Sequence, residues 1–232
     1  MKKKKPLYSI KKYKKLTKII HKYKFNNFEL ISNYGLFCGD TNLFKTLTIK
    51  QIIDRIENVK GDIIEFGVWK GNTSFLIKKI IDIFKIKKKL YLFDHFVGLL
   101  HFDKVDKSKK TVYGKYQGNK KIIKDLINFF RFKNISIIDM NAMELSKKTF
   151  NKKKFSLAIL DVDLYQPTKK ILEAINPYMQ KNSLIVFDEA NDKLWPGETK
   201  ALNEFLKINK KSYLKEYIKF ARQPDVILKK IV

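Results

Sequence analysis

From residue 62 onward, short and almost wholly apolar runs alternate with longer stretches in which apolar positions recur every three or four residues. Asp62–Phe66, Leu90–Phe93, Ile135–Ile138, Phe155–Leu160 and Ser183–Phe187 have strand length, and their continuous apolar character suits strands covered on both faces. Between them, helical periodicity covers 72–85, 119–131, 166–180 and 198–209. That alternation predicts an α/β fold with a parallel sheet and helices on both sides. The rhythm breaks at the end, where Tyr213–Phe220 and Asp225–Val232 are separated only by Ala221-Arg-Gln-Pro224. So short a connection cannot cross over a sheet, so the two segments should pair antiparallel. The predicted fold class is a doubly wound, mostly parallel sheet closed by an antiparallel C-terminal hairpin.

Before this region lies a basic arm in which Leu7, Tyr8, Ile10, Tyr13, Leu16, Ile19 and Ile20 are interleaved with lysines. The spacing of 13, 16 and 20 is helical, so residues 1–47 are read as a basic, largely helical extension and 48–232 as the single main domain. A solvated, frayed terminus is the plainer reading of the first 24 residues. Met1–Lys5 resembles the charged front of a signal peptide, but lysines interrupt the apolar stretch that should follow, so it is read as retained and the protein as cytoplasmic. No apolar run is long enough to span a membrane. A peripheral membrane contact and homo-oligomer formation are left open.

Composition adds a charge argument. The 232 residues carry 50 Lys and Arg against 23 Asp and Glu, a net +27, which favours anionic partners: nucleotide-linked substrates, nucleic acid or a membrane surface. Only Arg55, Arg131 and Arg222 are arginine, so the forked geometry suited to phosphates is scarce. An RNA-directed enzyme is therefore the second choice, and a non-catalytic basic binding protein the third. The single cysteine, Cys38, rules out an internal disulfide framework and reads as a small buried apolar residue.

In a doubly wound sheet, ligands collect beyond the carboxyl ends of the strands. The first strand runs into Glu65-Phe-Gly-Val-Trp-Lys-Gly71-Asn-Thr-Ser, where Gly67 and Gly71 permit a tight turn and a carboxylate, Glu65, faces the ligand. A pyrophosphate loop would want a third glycine and no carboxylate, so a cationic or zwitterionic ligand is expected. Asp94, at the tip of the second strand, is placed to accept from a ribose diol, with His95 beside it. Asp139 and Asn141 follow the third strand and would meet an adenine edge, although such residues also follow strands for turn reasons alone. Leu160-Asp-Val-Asp-Leu-Tyr-Gln-Pro-Thr168 and Phe187-Asp-Glu189 bring four carboxylates to one rim, Asp161, Asp163, Asp188 and Glu189. Such a cluster repels itself unless protonated or paired with a cation, which suggests a hard divalent ion such as magnesium. N-capping of two helices is the simpler explanation for Asp163 or Asp188 taken singly. The loop with Asn191, Asp192 and Trp195 is expected to overhang the rim.

Taken in order, Gly61-Asp-Ile-Ile-Glu-Phe-Gly-Val-Trp-Lys-Gly71, Phe93-Asp-His-Phe-Val-Gly-Leu99, Leu160-Asp-Val-Asp-Leu-Tyr-Gln-Pro-Thr168, Phe187-Asp188 and Pro196-Gly-Glu-Thr-Lys-Ala201 resemble the macrocin O-methyltransferase family. The resemblance spans Thr48 to Phe205. It implies a class I methyltransferase fold, S-adenosylmethionine as donor, magnesium, and methylation of a hydroxyl on a nucleotide-linked sugar, glycan or glycosylated natural product. It also implies that Glu65, Gly67 and Gly71 line the methionine end of the donor, Asp94 the ribose, and Asp139 or Asn141 the adenine, while His95 is either part of the same pocket or an exposed loop histidine without function. Asp161, Asp188 and Glu189 would hold the metal; for methyl transfer at such a site Asp161 is read as ligand and proton acceptor, with Asp163 either completing the proton path or supporting the ligand shell. Glu189 stands where the family usually has a second aspartate, and Asp94-His-Phe-Val-Gly-Leu-Leu100 replaces a commoner Ser-Phe-Glu-Gly-Leu-Pro.

Overall fold

Ile63 and Ile64, adjacent in one strand, are both fully buried but in different apolar clusters, which is what a sheet covered on both faces requires. The computed structural model describes residues 10–106, 112–191, 195–218 and 223–232. The basic arm forms α1 (Ile10–Lys22), α2 (Asn27–Ser32) and α3 (Tyr34–Phe37), followed by the longer α4 (Asp40–Ile56). Asn26 and Glu29 close α2 with a reciprocal capping box, a sequence signal of a helix start. Alternation then proceeds through β1 (Asp62–Phe66), α5 (Asn72–Ile83), β2 (Leu90–Asp94), α6 (Lys120–Phe129), β3 (Ile135–Asp139), β4 (Phe155–Leu160), α7 (Tyr165–Ile175), β5 (Met179–Phe187) and α8 (Pro196–Asn209). The chain ends in β6 (Tyr213–Tyr217) and β7 (Val226–Lys230).

The seven strands lie in the order β3-β2-β1-β4-β5-β7-β6. The first five run parallel, and β7 pairs antiparallel with both β5 and β6, so the expected architecture is present. One face is filled by Phe66, Phe93, Phe155 and Phe187 together with residues of α7 and α8. The other is filled by Leu90, Leu92, Leu157 and Val186 against α4, α5 and α6. Between β1 and β4 the sequence order reverses, and such a switch point is where an open sheet leaves a crevice.

Two expectations need correction. The helix read as 166–180 ends at Ile175, because Pro177 sits in a short 3₁₀ turn, Asn176–Tyr178, and cannot continue an α-helix. Strand β5 accordingly starts at Met179 rather than Ser183, with a register irregularity opposite Phe155/Leu157 and a positive φ of 65° at Asn182. Cys38 is half-buried rather than buried, since it lies at the exposed end of the four-residue α3. Arg55, one of the three arginines, makes a two-pronged contact with Glu216 at 2.9 Å for each nitrogen, which ties α4 to β6 and uses its fork within the protein. Residues 1–9, including the lysines after Met1, lie outside the described residues, as does Arg222. No helix among the described residues is long and apolar enough to cross a membrane.

Candidate active site

Register places the acidic residues. Phe66 pairs with Leu160 and Leu160 with Phe187, so β1, β4 and β5 end level. The ladder continues one residue further: the Asp161 N–H donates to the Phe66 carbonyl at 2.9 Å and the Asp188 N–H to the Leu160 carbonyl at 2.9 Å. Asp161 and Asp188 therefore stand side by side at the switch point. The turn after β1 is equally constrained. Gly67 has φ of 84°, and a Cβ built there would lie 1.8 Å from the Asp161 carbonyl oxygen. Only glycine lets the two backbones pass this closely.

Of the eleven residues singled out in the sequence, all but Gly71 and Asp139 line one cavity of about 450 Å³ at this edge of the sheet. Gly71 instead caps α5 with φ of 86° and lies against the Phe75 ring, which a Cβ would meet at 2.7 Å. Asp139 is exposed and pairs with Lys120 at 2.6 Å, because β3 is an edge strand whose end faces solvent. Asn141 does reach the cavity, where its amide contacts His101 Nε2 at 2.8 Å while its oxygen accepts from the Met143 N–H. Trp195 lines the cavity as expected of an overhanging loop, and Asp192 lies outside the described residues.

Asp94 organises the first turn. Its Oδ2 accepts from the N–H groups of Val68 and Trp69 at 2.8 Å, and its Oδ1 accepts from Phe96 N–H at 2.7 Å. His95 Nδ1 stands 3.5 Å from the same Oδ1. Burial works against the charge, but the hydrogen bonds from His95, Phe96, Trp69 and Val68 outweigh it and hold the carboxyl below its ordinary range. Asp94 is thus a firmly ionised acceptor.

Deeper in the cavity the balance reverses. Glu65 is 1 % exposed, and burial pushes its carboxyl up to about 8, although the Ser74 hydroxyl donates to it. Asp161 is raised well above the carboxylate range by burial and by the charges of Asp188 and Asp163. Two further residues carry weight that the sequence reading did not assign. Glu198, fully buried in the first turn of α8, accepts from the Glu189 N–H at 3.1 Å, while its Oε1 has no hydrogen-bond partner among the described residues. Burial first, then the charge of Asp163, raises its pKa well above the usual range. Lys45, from α4, places Nζ 3.3 Å from Asp188 Oδ1. Desolvation opposes its charge, but Asp188, Asp161 and Glu65 more than compensate and keep it protonated.

The expected metal can be tested against these residues. The donor types suit a hard cation, but among the described residues no group of three or more acidic, histidine or cysteine side chains is disposed to hold an ion. Glu189 Oε1 accepts from the Gln223 amide, and Asp188 Oδ1 faces Lys45. In this arrangement the three residues expected to bind magnesium do not fit it.

A prediction follows from Glu65. Its folded value of about 8 exceeds the ordinary 4.5, so between those values the folded chain retains a proton that the unfolded chain has released. The associated stability is complete below the ordinary value, declines as pH rises and is gone above about 8. Asp161 and Glu198 act in the same direction. Glu65→Gln is expected to make the fall in thermal midpoint between about pH 5 and about pH 8 shallower. An unchanged slope would remove Glu65 as a source of it.

The family model described as macrocin-O-methyltransferase (TylF) matches residues 42–217. Among solved structures, the calicheamicin methyltransferase CalS11 is similar with a TM-score of 0.82 and 23% identity, over 97% of this chain and 95% of that one. The apo form of CalS11, titled a TDP-rhamnose 3'-O-methyltransferase, gives a TM-score of 0.74 and 24% identity over 94% and 93% of the two chains. The O-methyltransferase NovP gives 0.70 and 16% over 81% and 80%. At such identities the likeness speaks to the fold. No curated protein matches the chain in sequence.

Proposed function

This chain belongs to the macrocin O-methyltransferase family, and from that premise we propose that it moves a methyl group from S-adenosylmethionine to a hydroxyl of a sugar, carried on a nucleotide, a glycan or a glycosylated natural product. The observation that carries the proposal is the buried Asp161 carboxyl, raised in pKa, sharing one cavity with the ionised Asp94. Residues 48–232 would be the transfer domain and 1–47 its basic extension, with α4 spanning the junction.

The residues fit the donor. Asp94 offers a fixed negative acceptor to a ribose diol, whose hydroxyl would compete with His95 for Oδ1. Glu65, behind it, would ionise toward the cationic amino-acid end, and Asn141 with His101 offers a polar edge on the far side. When bound, the donor supplies a methyl group on a positively charged sulfur, and transfer leaves the bonding electron pair on that sulfur. Asp161 accepts the hydroxyl proton as the new carbon–oxygen bond forms, because a carboxylate of raised pKa is a stronger base than a solvated one. Asp163, on the cavity wall with φ of 60°, takes that proton onward or orients the acceptor. The net +27 would draw in an anionic acceptor such as a sugar nucleotide, so KM should rise with salt.

The test is a screen of nucleotide sugars and glycans, with and without added divalent ion, that reads out the demethylated donor. Absence of turnover with every hydroxylated acceptor would overturn the proposal. For the donor site, Asp94→Asn is expected to weaken S-adenosylhomocysteine binding by about 10- to 100-fold, the loss of hydrogen bonds to a charged group. Calorimetry checks this beside a melting curve, since the same carboxylate also ties down Val68 and Trp69. Unaltered affinity in a folded variant would remove Asp94 from the ribose site.

A further inference from the structure

The spacing Lys45, Ile49, Ile52, Ile53 and Ile56 follows one helical face. The four isoleucines are at most 1 % exposed and pack α4 on the sheet, so Lys45 continues their stripe one turn further, past the carboxyl edge. There it meets Asp188: the Nζ–Oδ1 distance is 3.3 Å and the side chains are 18% and 6% exposed. Both residues line the cavity with Asp161, and among the described residues lining it Lys45 is the one lysine or arginine. A positive charge here relieves the mutual repulsion of Asp161, Asp163, Asp188 and Glu189, which surround one space. Glu189, which replaces the family's usual aspartate, directs Oε1 to the Gln223 amide.

We infer that Lys45 is the cation of this site: its ammonium, delivered by α4, stands beside Asp188 and Asp161 where a divalent ion would otherwise sit, and positions Asp161 for proton transfer without a metal. This rests on the proposed methyl transfer. Lys45 acts through the carboxylates and is a positioning residue. A helix anchored by four buried isoleucines makes the arrangement part of the fold, present before any ligand arrives. Removing the ammonium should leave a pocket of uncompensated carboxylates, which is the condition for capturing a small divalent cation.

The experiment uses the full chain, Mn²⁺ as the probe, and Lys45→Met with Lys45→Gln as a second variant should the first fold poorly. Electron paramagnetic resonance counts bound Mn²⁺, and S-adenosylhomocysteine affinity with a melting curve verifies folding. The wild type is expected to bind no stoichiometric Mn²⁺ and to keep its transfer rate in chelator. The variant is expected to gain one Mn²⁺ site and to lose about 100-fold in metal-free rate, the scale of a misplaced reacting group. A wild type that binds one Mn²⁺ and fails in chelator overturns the inference while leaving methyl transfer standing. Equal Mn²⁺ binding by both proteins, or none by either, overturns it as well. Should no acceptor be methylated, the proposed function fails, and the difference in Mn²⁺ binding still decides the role of Lys45.

Discussion

Asp161→Asn is expected to lower kcat by about 10²- to 10⁴-fold, the usual worth of a positioned general base, with S-adenosylhomocysteine affinity nearly unchanged. The substitution keeps size and burial but removes the proton acceptor. In the wild type kcat should rise with pH as Asp161 ionises, over a range displaced upward from ordinary carboxylates by burial and by Asp188 and Asp163. That limb should vanish in the variant, which separates lost basicity from a shifted backbone. A variant that keeps both the rate and the pH limb would move the base elsewhere, with Asp163 the next candidate.

Gly67→Ala is expected to be among the most damaging single substitutions in the chain. Its Cβ would lie 1.8 Å from the Asp161 carbonyl oxygen and 2.7 Å from the carbonyl carbon, both backbone atoms of a central strand end. The φ of 84° adds conformational strain. Relief requires β1 and β4 to part at the switch point, so the loss should reach about 4 kcal/mol or more. Urea midpoints measure it, at unchanged denaturant slope. Gly114→Ala is the control: φ is 66°, but no described residue lies within 4 Å of the added carbon, so only about 1 kcal/mol should be lost. Equal tolerance at the two positions would mean that the strand ends are not held as tightly as the register requires.

The sheet was legible because β1 to β5 are buried on both faces, which writes them as continuous apolar runs, and because a four-residue turn leaves β6 and β7 no option but antiparallel pairing. The end of α7 was misjudged because apolar residues continue at helical spacing through Tyr178 and Met179, although Pro177 had already stopped the helix. The candidate residues after the central strands line the cavity and Asp139 does not, since sequence does not say that β3 is an edge. Gly71, expected to allow a tight turn and close backbone approach to a ligand, caps the start of α5 against Phe75 and does not line the cavity. Lys45 was hidden among 50 cationic residues, and only its spacing from Ile49, Ile52, Ile53 and Ile56 distinguishes it from solvent-facing lysines. Glu198 lay within a quoted motif, but its burial depends on packing across α8 that a linear reading does not contain.

Because Asp161 and Asp188 extend neighbouring strands at the same level of one hydrogen-bonded sheet, the gap between their backbones is held near the interstrand repeat of about 4.8 Å. Residues such as Tyr116 and Trp195 line the same cavity from segments that are not part of that ladder. Substitutions in those segments can therefore reshape the cavity wall while the separation of the two carboxylate-bearing backbones stays constant.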